Sequence, residues 1–247
     1  RRARAASVVF LGAVVTLSSV LPIVTLATWA ARGLANGAEP GPVIAEAVNT
    51  IGYALAAGLV TTLLALPVAL AARRGTRFGQ VVESTPWVVH SIPHLAIGLA
   101  ILVLSVRGPA ALYQSPTTLV LAYAAVFLPL AVGPILTALR RVDDRLLDVS
   151  RSLGRSDGVT VVRVLLPLAR PSALTGATLV FFAAFHELPV TLLLRPTGSE
   201  TLAVRVWGAM VEGQYTTASI AALLMVAISL PLLALHARAT VREAVAA

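Results

Sequence analysis

The residues able to do chemistry in this chain are those that interrupt long apolar runs. His90 and His94 stand i, i+4 apart, the spacing at which two imidazoles on one helical face can share a metal ion. Pro93 lies between them and disturbs that helix, so polar packing or pore lining is the preferred reading and no metal site is assigned. His186 and Glu187 sit in the run FFAAFHELPVTLLL. A charge at the centre of a bilayer costs about 2.5–3.5 kcal/mol on insertion scales, so such a group faces a cavity or a partner. Two readings of Glu187 are open: it lines or gates a pathway, with Pro189 breaking the helix just after it, or it lies near an interface and pairs with Arg195 or Arg205. No Gly-x-Ser-x-Gly or His-Glu-x-x-His occurs, which argues against an intramembrane hydrolase. No G-x4-G-K-[ST] occurs and lysine is absent, so the chain is not an ATPase of that kind.

The elements that must hold these residues are membrane helices. The chain of 247 residues is 57% hydrophobic and 12% charged, about half the charge of a soluble domain. Its mean hydropathy is +0.88. Cysteine is absent, which excludes disulfides and thiolate metal sites. Apolar blocks at Ser7–Ala31, Val48–Ala72, Pro86–Ser105, Thr117–Leu139, Ser172–Leu194 and Thr216–His236 each approach the ~20 residues needed to cross the hydrocarbon. The expected fold class is therefore an all-α membrane protein of six transmembrane helices, forming a single domain over residues 1–247. The first block is too long for a signal-peptide core. All basic residues are arginine, and they divide unevenly. With a cytoplasmic N-terminus only Arg32, Arg107, Arg195 and Arg205 fall outside, which predicts cytoplasmic termini and a cytoplasmic loop at 140–171. The charge of +8 thus reports topology rather than nucleic-acid binding. Prolines recur in or beside the spans, as in a conduit whose freed carbonyls are satisfied by neighbouring helices. The segment Ala31–Glu46 reads as a turn-rich connector.

The loop between the fourth and fifth blocks is the longest polar segment. Leu146, Val149 and Leu153 share one face of a short predicted helix, with acids toward its N-terminus where the helix dipole favours them. Gly154 stands where a helix end needs positive φ. Ser156 is expected to cap a second helix with the stripe Val159, Val162 and Leu166, which Pro167 ends. Pro171 is expected in the first turn of the next span. From pattern alone the pair either packs on its own bundle at the membrane surface or docks a partner.

This segment resembles the signature loop of the permease subunits of bacterial ABC importers, E-A-A-x3-G-x9-I-x-L-P. Asp148-Val149-Ser150 stand at E-A-A, Gly154 follows at the right spacing, and Val164, Leu166 and Pro167 stand at I, L and P. The resemblance implies the MetI-like type I importer permease fold, with a coupling helix inserted into a groove on a separate ATPase dimer that carries ATP and Mg. Asp148 and Arg151 would meet polar groups there, and Leu146, Val149 and Leu153 would fill the groove. The runs Glu187-Leu188-Pro189, Thr191 to Pro196, Thr201 to Trp207 and Arg151 to Ser156 are similar to the C-terminal half of ferric-iron permeases. That likeness implies a non-catalytic subunit of the bacterial cytoplasmic membrane, without a cofactor of its own. It further implies a second permease half, fused or separate, and an extracytoplasmic binding protein. An opening at Arg1 without Met is what the second half of a longer chain would show. Relatives for thiamine, phosphonate, sulfate or molybdate share the architecture. An ion-coupled carrier is disfavoured, because Glu187 is nearly alone among buried acids. Translocation residues expected on this reading are His94, His186, Glu187 and Pro189.

Overall fold

The computed structural model describes the backbone of residues 2–39 and 41–246 and the side chains of residues 7–39, 41–150 and 152–238. Every regular element among them is helical: α1 Ser7–Ala35, α2 Val43–Arg73, α3 Arg77–His90, α4 His94–Arg107, α5 Pro116–Arg140, α6 Asp144–Ser152, α7 Asp157–Phe185, α8 Pro189–Leu194, α9 Leu202–Val211 and α10 Tyr215–Ala246. Helices dominate because hydrocarbon offers backbone groups no partner, so each apolar segment must bond to itself. Helices α1, α2, α5, α7 and α10 are each long and apolar enough to span, and α3 with α4 makes a further pair bent by 98°.

Two expected spans are therefore not continuous. The block Pro86–Ser105 breaks at Ser91–Pro93, and Ser172–Leu194 breaks at His186–Leu188. The first break ends in Pro93 and the second is followed by Pro189, and a proline has no N–H with which to continue the preceding turn. Other prolines do not break their helices. Pro167 does not end the second loop helix, and Pro171 does not begin a span; both lie within α7. The reason is local. A π-turn at Val161–Leu165, just ahead of Pro167, routes the Leu166 N–H to the Val161 carbonyl. Pro22 in α1 follows a π-turn at Thr16–Val20 in the same register.

The elements fall into two compact groups. In residues 49–199, α5 is central, with Leu119, Val126, Val132, Ile135 and Leu139 fully buried. It packs against α7 through Gly176, where an added Cβ would lie 2.9 Å from the Ala131 Cα. Gly58 of α2 likewise admits the Ala177 carbonyl oxygen, at 2.9 Å from where a Cβ would stand. Small residues allow this approach, and close packing is what associates helices in lipid. In the group formed by residues 1–48 and 200–233, Thr201 caps the unexpected helix α9 by accepting from the Val204 N–H. Arg205 faces the buried Glu46 at 3.6 Å and Glu200 at 3.9 Å. The Trp29 and Tyr215 rings lie 5.1 Å apart.

Candidate functional site

The polar loop folds as a capped helix with one face left open. Asp143 Oδ1 accepts from the Arg145 N–H at 2.9 Å, starting α6. At the other end Gly154 has φ +72°, and the Arg155 N–H donates back to the Ser150 carbonyl at 3.2 Å, the bond of a Schellman closure. Leu146, Val149 and Leu153 are 51%, 58% and 69% exposed. Ser150 points the other way, is buried, and shares a 2.7 Å hydrogen bond with Thr160 of α7. A small residue is required there because α6 lies directly on α7. The side chain of Arg151 lies outside the described residues. Ser156 takes the extended N-cap backbone of α7 but makes no side-chain cap; its carbonyl accepts from the Thr160 N–H at 3.0 Å.

The loop is anchored from α2, which the sequence did not signal. Arg73, the last residue of that helix, donates Nε–H to the Leu139 carbonyl at 2.8 Å. Its Nη2 donates to the Val142 carbonyl at 3.0 Å and to Asp144 Oδ1 at 2.9 Å. Arg140 and Glu83 form a bidentate pair at 3.0 and 2.6 Å, tying α5 to α3.

The second site lies where the two broken helices meet. Glu187, 8% exposed, uses both carboxylate oxygens. Oε2 accepts from His94 Nδ1 at 2.9 Å, and Oε1 accepts from the Val190 N–H at 3.1 Å, capping α8. The side-chain partner of Glu187 is therefore His94. The Thr191 hydroxyl donates to the Glu187 carbonyl at 2.6 Å, which leaves its oxygen to accept from the Tyr123 hydroxyl. His90 Nδ1 donates to the Val126 carbonyl at 2.9 Å. Because a carbonyl and a carboxylate only accept, both imidazoles carry their proton on Nδ1 when neutral and present a lone pair at Nε2. The two rings lie 5.7 Å apart on opposite sides of the break at Ser91–Pro93. His186 does not join this group: it is exposed, with Nδ1 on the Phe182 carbonyl at 2.8 Å. Among the described residues no three His, Asp or Glu side chains converge as a metal set. Pro189 opens α8, two residues after Glu187. Tyr123 and Thr191 escaped the sequence reading; the available signal was that each is a polar group at mid-helix in an apolar run.

The chain is 28% identical over 223 residues to an Fe(3+)-transport system permease protein of Haemophilus influenzae, covering 89% of this chain and 44% of that one. It is 32% identical over 241 residues to a permease of Haloferax volcanii named for molybdenum transport, covering 93% and 88%. The chain thus spans less than half the length of the iron-transport relative. Among solved structures, a bacterial alginate ABC transporter crystallised with its alginate-bound periplasmic protein superposes with a TM-score of 0.73 at 12% identity, over 95% of this chain and 93% of the matched one. Residues 62–240 match the model of the binding-protein-dependent transport system inner membrane components, and the chain belongs to that family.

Proposed function

We propose that this chain is the membrane-spanning half of an ATP-driven importer for ferric iron, delivered by an extracytoplasmic binding protein. The observation that carries the reading is α6: a short helix, closed by a left-handed glycine, that exposes Leu146, Val149 and Leu153 on one face between polar and charged residues. An apolar stripe on a polar loop is a docking surface. Its occupant on this reading is the groove of a cytosolic ABC ATPase dimer, which puts the loop and both termini on the cytoplasmic side of the inner membrane. A second permease half, fused or separate, completes the pathway. ATP and Mg bind the ATPase.

In the mechanism, closure of the ATPase dimer moves α6 as a lever. Ser150 and Thr160 transmit its motion to α7, whose outer end carries the break at Glu187. The His94–Glu187 pair lines the pathway or closes it, because its groups are the polar ones at the helix breaks. Iron is favoured by the relative from Haemophilus influenzae; the relative from Haloferax volcanii supports molybdate as the second reading.

The test is reconstitution. The ATPase is expected to co-purify with the permease and to be lost on Leu146→Asp with Val149→Asp. Radiolabelled ferric iron uptake should require ATP and exceed molybdate uptake. Uptake that survives ATP depletion and collapses with the proton gradient supports an ion-coupled carrier instead.

A further inference from the structure

The loop helix α6 is joined by the chain to only two spans, α5 before it and α7 after it. We propose that Arg73 is a positioning residue that adds α2 to this set, so that the second span moves with α6 as one body. The inference rests on the importer reading for its consequence, but the tie itself is a matter of geometry.

Three bonds from one guanidinium converge there: to Leu139 O at 2.8 Å, Val142 O at 3.0 Å and Asp144 Oδ1 at 2.9 Å. The first two reach carbonyls at and just beyond the end of α5, where helix carbonyls run short of backbone partners. That alone would be a C-cap. The third bond does nothing for α5. It reaches the first turn of α6 and a carboxylate that stays 86% exposed while paired, whereas Arg73 itself is 13% exposed. A cavity of about 460 Å³ lies beneath, bordered by Leu70 and Arg73 of α2, Asp144 and Leu147 of α6, and Thr160 and Val161 of α7. Close packing therefore does not join the end of α2 to the loop at this place, and a polar bridge spans the gap. The planar guanidinium has five donors in fixed directions, so it can serve three acceptors at once. A lysine at 73 would keep the charge without the fork.

The consequence is mechanical. When α6 is displaced, Arg73 pulls the end of α2 with the ends of α5 and α6. Gly58 then carries that motion to α7 at mid-span, through its contact with the Ala177 carbonyl.

Two measurements test this. In the permease alone, Arg73→Met should speed amide exchange across residues 144–152 by about tenfold and leave residues 116–135 as they were. Unchanged exchange over 144–152 overturns the tie, whatever the motor is. In the assembled transporter, with the partner subunits in cysteine-free form, cysteines are introduced at Arg74 and Arg145, residues 1–247 having no thiol of their own. Their spin-label separation should stay constant between nucleotide-free and ATP-bound states in the parent and should change in Arg73→Met. The same variant should use about tenfold more ATP per ion moved while keeping its basal hydrolysis. Asp144→Asn, at an exposed position, carries the same test with the fold intact and should give a smaller loss. A parent separation that changes as much as the variant's, or an unaltered ATP cost in both variants, refutes the proposal. Failure of any ATPase to assemble with the parent would sink the importer reading while the exchange result still decided the tie.

Discussion

Replacing Gly154 by alanine isolates the backbone from everything else in the loop. The residue has φ +72°, and a Cβ built there meets nothing within 4 Å. The cost of Ala is therefore conformational only. For an L-residue in the left-handed region it is about 1–2 kcal/mol. Since 1.4 kcal/mol is a factor of ten, the closed loop should lose about 5- to 30-fold in population. The loop has little reserve against this, because α6 has 9 residues and a helix that short does not persist on its own. Asn tolerates the left-handed region better than Ala, and Val tolerates it worse. The expected order of ATPase retention is Gly, Asn, Ala, Val. The assay is titration of the purified ATPase onto permease in nanodiscs, with amide exchange over residues 144–155 as the structural readout. Equal affinity for Gly and Ala, or Ala ahead of Asn, would show that the turn at 154 does not set the loop's shape, and the docking reading would lose its main support.

Other perturbations address the breaks and the packing. Glu187→Leu removes the α8 cap, worth about 0.5–2 kcal/mol, and orphans the His94 N–H; thermal midpoint and uptake should both fall, while Glu187→Gln keeps one acceptor and offers an N–H that the other tautomer of His94 can accept, so it should cost less. A Glu187→Leu protein that melts like the parent would show that the break does not depend on this carboxylate. Thr191→Val leaves the buried Tyr123 hydroxyl without its acceptor at about 1–3 kcal/mol, and adding Tyr123→Phe should restore most of the loss in a double-mutant cycle; strict additivity would rule out the bond. Gly176→Val places a side chain 2.9 Å from the Ala131 Cα and should separate α5 from α7, seen as a lowered melting midpoint or failed expression; an unchanged midpoint would contradict the contact.

Arg205 shows how local reasoning goes astray. By sequence it was a possible partner for Glu187, being a charge on the expected outer side. In the fold it is committed to Glu46 and Glu200, and the Glu187 carboxylate turns to a histidine 93 positions earlier. His90 and His94 mislead in another way. Their i, i+4 spacing suggests one helical face, but Pro93 breaks the helix, and each imidazole is then held by a different acceptor.

What the chain order determines by itself is whatever depends on neighbours within a few residues. Hydropathy over some twenty residues marks the spans, since crossing a bilayer is a matter of length and apolarity. The left-handed turn at Gly154 and the apolar row Leu146, Val149 and Leu153 are written locally too, in backbone freedom and helical period. The structure decided which prolines break a helix: Pro67, Pro129, Pro134 and Pro231 lie inside continuous helices, whereas the breaks at 91–93 and 186–188 lie at Pro93 and Pro189. It also decided the partners of Glu187 and Arg73. Those are contacts between distant segments, and a buried polar group takes the nearest satisfying atom that packing brings to it, which no spacing along the chain records.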